Sequence, residues 1–352
     1  MQSAVVKRID NLYTLAYLTE HPKIDQILQG VIGVFEKVFL ERIRGYYLEG
    51  SFGSGSTVTN SDLDMYVIFK ESFSSPVEAM TAVSLSRSCA QISPILLEIK
   101  PGAELDLYQA EHAGIALNFK YSTQFLYGED IRNQIPTFTP DDWIRWAMRA
   151  PQTSLRVIRS ARTLVFPLQQ PNAQAEFYGY DRQTIPGADG IDCPSSKWLV
   201  ATVGWIATAL VAHQRGQYAG SKREAVQLYK TQINDQWTTL VDQVYEQCRN
   251  RWNYLIPDGD AERQILRSLC QSALEFSNHY LRVYRDFALR ELCEGSPAHQ
   301  LLTVKNLAQV IYPGDQEISN ALERLQQSNH EELRNAAGET EARMKQISDV
   351  GG

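Results

Sequence analysis

Between Tyr46 and Phe69 the chain places an apolar strand, a loop of small residues and a second strand in immediate succession. Tyr46-Tyr47-Leu48 is short, aromatic and apolar, and a glycine soon ends it. The loop reads Gly50-Ser51-Phe52-Gly53-Ser54-Gly55-Ser56. From Asp62 to Phe69 the chain alternates, with Leu63, Met65, Val67 and Phe69 on one side and Asp62, Asp64, Tyr66 and Ile68 on the other. That is the period of a strand. Period two turns the carboxylates of Asp62 and Asp64 to one face. Two like charges so close repel unless a cation lies between them. Mg²⁺ takes oxygen ligands and keeps substrate phosphates as partners, so the pair suits a magnesium-bound phosphate. The loop supplies the phosphate side: Gly50 lets a backbone amide approach closely, Ser51 adds a hydroxyl donor, and Ser61 stands beside the first carboxylate.

Composition narrows the class of partner. The formal net charge is −7 and no Lys/Arg block occurs, which argues against a general nucleic-acid binder and suits a cationic ligand. Cys89, Cys193, Cys248, Cys270 and Cys293 are widely spaced and form no CxxC, so reduced thiols are expected rather than a zinc site or disulfides. The first residues lack the apolar core of a signal peptide. The most apolar stretch, Trp198 to Ala212, is shorter than the ~20 residues a membrane helix needs. A cytoplasmic protein, a monomer or weak dimer with no membrane partner, is expected.

Apolar spacing predicts one or two helices over 1–43, from Val5, Ile9, Leu12, Leu15 and Ala16 and then from Ile27, Val31, Val34, Phe35, Val38 and Phe39. A helix is predicted at 75–91, strands at 95–100 and 104–108 split by Pro101-Gly102, a helix at 110–122, and a strand at Phe125-Leu126-Tyr127. Beyond Pro140 strand signals fade. Helices are predicted at 140–149, 152–166, 195–215, 221–250, 259–293, 299–311 and 314–347, with a strongly polar last helix. Residues 167–194, rich in Pro, Gly and polar residues, read as a long loop. Asp181, Asp189 and Asp192 there read as solvated acids. Most of the six tryptophans, all beyond residue 137, are expected in the core.

The segment Leu48-Glu49-Gly50-Ser51, ten residues, then Asp62-Leu63-Asp64-Met65 resembles the signature of the polymerase-β-like nucleotidyltransferase superfamily. Phe125-Leu126-Tyr127-Gly128-Glu129-Asp130 and Ser221-Lys222 resemble parts of aminoglycoside adenylyltransferases, in which such a lysine reaches the nucleotide phosphates. The resemblance covers roughly residues 45–255 and is strongest at 48–68. Ser54 stands where many relatives carry Arg, which removes one phosphate contact. The implied fold is α+β: a nucleotidyltransferase domain over 1–137, a mixed sheet flanked by helices, then an all-α helical-bundle domain over 138–352 that binds the acceptor. The family adds a third carboxylate on a neighbouring strand. Asp106, within Leu105-Asp106-Leu107, is the first choice, with Glu104 and Glu98 as alternatives.

The implied activity is transfer of a nucleoside monophosphate, AMP from ATP, to a hydroxyl of a small-molecule acceptor such as an aminoglycoside-like amine, with release of pyrophosphate. Asp62, Asp64 and Asp106 would hold two Mg²⁺ ions, while Gly50, Ser51, Ser61 and Lys222 would bind the nucleotide. Two rival readings stand beside it: nucleotidylation of a protein or tRNA, and a nucleotide-binding module without turnover.

Overall fold

The computed structural model describes residues 13–109, 113–186 and 191–350. The expected helical positions Val5, Ile9 and Leu12 and the loop acid Asp189 lie outside the described residues. Among the described residues the chain falls into two compact units, Met1–Trp143 with Ile185–Ile191, and Ile144–Thr184 with Asp192–Gly352.

The first unit runs α1 (Pro22–Val38), β1 (Ile43–Glu49), α2 (Gly50–Gly53), β2 (Leu63–Phe69), α3 (Pro76–Ile92), β3 (Leu97–Ala103), a 3-10 turn at Glu104–Tyr108, α4 (Ala113–Ser122) and β4 (Gln124–Gly128). Proline at the first turn starts both α1 and α3, and the Ser75 hydroxyl caps α3 by accepting from Glu78 N at 3.2 Å. The strands form one sheet in the order β3-β2-β1-β4. β1 pairs antiparallel with β2 and with β4, and β2 pairs parallel with β3. The sheet is therefore mixed, as expected.

The alternation along β2 decides which face is core. Leu63, Met65, Val67 and Phe69 pack with Leu28, Phe35 and Ala82 from α1 and α3. On the other face Tyr47 and Ile68 pack with Ala116 and Phe119 of α4, and Tyr66 joins them. β1 is covered on both faces, which is why Tyr46, Tyr47 and Leu48 are all buried.

The strand expected at 104–108 is not one. β3 continues through Pro101 and Gly102 to Ala103, and Glu104–Tyr108 is a 3-10 turn. β3 is the edge of the sheet, where a residue without an N–H breaks no ladder bond.

The second unit is mainly helical. It takes in α5 (Pro140–Ala147), which contains the boundary, α6 (Ala150–Arg159), β5 (Leu164–Val165), the first half of β6 (Gln183–Pro186), β7 (Asp192–Ser195), α7 (Lys197–Arg215), α8 (Lys222–Leu228), α9 (Thr238–Gln243), α10 (Asp260–Glu294), α11 (Pro297–Leu307), β8 (Val310–Ile311), α12 (Gln316–Leu325) and α13 (Glu331–Val350). α7 is buried from Leu199 to Ala212 apart from Ala201 and Trp205, as its apolar sequence predicts. No helix among the described residues is long and apolar enough to cross a membrane.

Several expectations for this half are corrected. It is not purely helical, since β5 and β8 pair in parallel. The helix expected over 221–250 breaks where Asn234 turns left-handed at φ +47°. The one expected over 314–347 breaks between α12 and α13, both of which bury apolar residues, including Leu322 and Ala337. The expected loop at 167–194 is pinned to α10 at Leu168 and Tyr178: Leu168 N donates to Asn278 Oδ1 at 2.7 Å, and Gln271 Nε2 donates to the Tyr178 hydroxyl at 2.7 Å. Of the tryptophans only Trp252 is fully buried, and the other five are half-buried. Cys89, Cys248 and Cys270 are buried free thiols, while Cys193 is half-buried and Cys293 exposed.

Gly128 ends β4 at φ +98°, and a Cβ there would lie 2.5 Å from the Arg44 carbonyl oxygen. Gly55 also has a positive φ, +61°, but opens onto free space. We expect Gly128→Ala to lower unfolding stability by about 3 kcal/mol or more, against about 1 kcal/mol for Gly55→Ala, in urea titrations. Equal losses would contradict this packing at the end of β4.

Candidate functional site

The sheet face opposite α1 and α3 carries charge beyond the edge of α4. The parallel register sets Asp64 beside Glu98 and Tyr66 beside Lys100. β1 brings Glu49 opposite Asp64 from the other side. Asp62 lies one residue before β2. Four carboxylates and one ammonium thus share one end of the sheet.

The loop between β1 and β2 bends around this cluster. Gly50 has φ +72°, and a Cβ on it would lie 2.6 Å from Asp64 Oδ2, closer than any real contact. Glycine is therefore required both by the backbone and by the carboxylate. The turn of α2 follows, held by Tyr17 Oη donating to the Phe52 carbonyl at 3.3 Å and Gln124 Nε2 donating to the Gly53 carbonyl at 3.2 Å. The Ser51 hydroxyl is buried in this turn and meets no hydrogen-bond partner among the described residues. Such an orphan costs about 1–3 kcal/mol unless a ligand supplies the partner.

The ion pairs are unequal. Lys100 Nζ stands 2.8 Å from Glu49 Oε2, 3.8 Å from Asp64 Oδ1 and 3.8 Å from Glu98 Oε2. The second Glu49 oxygen accepts from Asn118 Nδ2 of α4. Burial alone would lower the Lys100 pKa, but Glu49 and Asp64 override it and hold the ammonium well above the usual lysine value. Asp64 moves the other way. Burial first, and then the charge of Asp62, push its carboxyl up to about 7 against the pull of Lys100. Burial and like charge therefore outweigh the ammonium beside it.

Among the described residues no three His, Cys, Asp or Glu side chains are grouped tightly enough to hold a metal alone. A hard cation bound by one or two carboxylates would complete its shell with phosphate and water oxygens. The orphan Ser51 hydroxyl, the close pass of Gly50 and the all-oxygen donor set of Asp62 and Asp64 fit such a metal–phosphate group.

The expected site residues divide. Gly50, Ser51, Asp62 and Asp64 come together. Ser61 adjoins them, but its Oγ accepts from Val58 N at 2.9 Å and so braces the loop that delivers Asp62. Asp106 lies in the 3-10 turn, where its Oδ2 accepts from Ala103 N at 3.2 Å. Ala103 is five strand residues from Glu98, a separation of roughly 16 Å at about 3.3 Å per residue. The residue beside Asp64 is Glu98. Glu104 is occupied by Arg44 Nε at 2.7 Å. Lys222 belongs to the second unit, where Ser221 caps α8 and the Lys222 ammonium lies 5.3 Å over the Trp205 ring. Glu49, Lys100 and Asn118 are additions to the expected set. The alternation of Glu98 and Lys100 along one strand is the sequence signal that points to the lysine.

No family model and no curated protein matches the chain. Among solved structures it is similar to a spectinomycin adenyltransferase from Enterococcus faecialis, solved with ATP and spectinomycin. The identity is 11%, the TM-score 0.44, and the match covers 72% of this chain and 98% of that one. A likeness this weak fixes neither the fold nor the activity of this chain.

The raised Asp64 carboxyl has a consequence for stability. An aspartate that titrates near 3.8 when unfolded and at about 7 when folded holds its proton more tightly in the folded state. Its contribution is complete below the lower value and is lost as pH rises through the higher one. In metal-free buffer Asp64→Asn should therefore gain stability over the wild type between pH 5 and pH 8, on the order of 2 kcal/mol, one pKa unit being worth about 1.4 kcal/mol. A difference unchanged between those pH values in denaturant titrations would refute the assignment.

Proposed function

We propose that this site transfers a nucleoside monophosphate from a nucleoside triphosphate, ATP in the first instance, to a hydroxyl of a small-molecule acceptor. The observation that carries the reading is the Gly50-Ser51 turn, with its orphan hydroxyl, packed against the Asp64 carboxylate. A phosphate donor site and a cation site are thereby fused.

In this reading Ser51 Oγ and the Gly50 amide grip the triphosphate, and Asp62 and Asp64 hold Mg²⁺. When bound, the ion would neutralise developing charge on the phosphate oxygens. The acceptor oxygen forms a bond to the α-phosphorus, and the bond from that phosphorus to the β-phosphate oxygen breaks. Pyrophosphate leaves. Glu98, rather than Asp106, takes the hydroxyl proton, because strand register sets it beside Asp64. Positioning and charge neutralisation supply most of the rate. The acidic cluster and the net charge of −7 favour a cationic acceptor, such as a polyhydroxylated amine.

Pyrophosphate release with Mg²⁺, ATP and a panel of polyhydroxylated amines tests this. Asp64→Ala should abolish turnover, and Glu98→Gln should lower kcat about 10²–10⁴-fold with little change in the KM for ATP. Ser51→Ala should raise the KM for ATP about tenfold, the loss of one hydrogen bond to a charged group. A fully active Asp64→Ala variant would sink the reading. Label from ATP entering lysate protein or RNA, but no amine, would redirect the acceptor.

A further inference from the structure

Lys100 borders both carboxylates that would have to share a second divalent ion. It leaves β3 two residues after Glu98 and so shares its face. Its ammonium is equidistant from Asp64 and Glu98, 3.8 Å from an oxygen of each. It is not free to leave. Glu49 Oε2 holds it at 2.8 Å, Glu49 is itself held by Asn118 from α4, and the ammonium lies 5.5 Å over the Tyr66 ring.

A divalent ion shared by Asp64 and Glu98 would need an oxygen of each at about 2.0–2.1 Å. The Lys100 ammonium already competes for those oxygens. Two cations a few ångströms apart repel steeply in a partly buried site.

We propose that the Lys100 ammonium takes the place of the acceptor-side metal ion, so that the protein binds one divalent ion per nucleotide and not two. The inference rests on the nucleotidyl-transfer reading and refines it. Asp62 and Asp64 keep the ion that accompanies the triphosphate. Lys100 supplies the positive charge beside Glu98 and holds that carboxylate toward the acceptor. It is a positioning residue, with Glu49 and Asn118 as its support.

The test is metal counting. The full chain is saturated with α,β-methylene-ATP, titrated with MnCl₂, and read by equilibrium dialysis and electron paramagnetic resonance. Wild type should bind one Mn²⁺ per protein–nucleotide complex with an uncoupled spectrum. Lys100→Met should admit a second, spin-coupled Mn²⁺. Glu49→Gln combined with Lys100→Met removes the opposing charge as well and serves if the single variant does not fold. Two Mn²⁺ on the wild type would overturn the inference and leave the nucleotidyl-transfer reading intact. A single Mn²⁺ on a folded variant lacking Lys100 would also overturn it. Failure of the wild type to bind nucleotide with Mn²⁺ would overturn the parent reading and the inference together.

Discussion

Repulsion among Glu49, Asp62, Asp64 and Glu98 is the constraint the first unit is arranged around. Each of the other three raises the carboxyl of Asp64. Like charges at one end of a sheet destabilise a fold unless something positive or a proton answers them. The protein answers partly, with one ammonium held hardest by Glu49. The remaining repulsion shows on Asp64, whose carboxyl is raised despite that ammonium. In the proposed reading a divalent ion arriving with a triphosphate would answer that repulsion, and the Gly50-Ser51 turn would receive the phosphates.

The sheet makes the arrangement possible because it is mixed. The antiparallel pairing of β1 with β2 lets one loop hold both the glycine turn and the carboxylates that face it. The parallel pairing of β2 with β3 then brings a third strand's acid alongside in register. A one-residue slip in either ladder would carry these side chains to the buried face. The core packing of Leu63, Met65 and Val67 against α1 and α3 therefore also aims the charged residues.

Much of this site was legible in the sequence, for local reasons. The alternation from Asp62 to Phe69 reports which side is buried, and Gly50-Ser51 reports a loop that must approach something closely. Leu105-Asp106-Leu107 alternates like a strand, while Pro101-Gly102 looks like a turn, so the sequence places Asp106 on a strand of its own. On an edge strand proline is tolerated, so β3 runs on and the alternating triplet becomes a 3-10 turn. The trio of Glu49, Lys100 and Asn118 is only hinted at in the sequence, by the alternation of Glu98 and Lys100. It is assembled from two strands and a helix, and only strand register places it. In the second unit the buried α7 could be read from composition. The breaks at Asn234 and between α12 and α13 could not, since periodicity continues across them.

In the proposed reading Gly50, Ser51, Asp62 and Asp64 form one metal–nucleotide site. A crystal structure with Mn²⁺ and α,β-methylene-ATP, phased on the manganese anomalous signal, tests it most directly. Manganese is expected in contact with carboxylate oxygens of both Asp62 and Asp64, with a phosphate oxygen accepting from Ser51 Oγ. Nucleotide bound away from the Gly50 turn, or manganese without either aspartate, would contradict it.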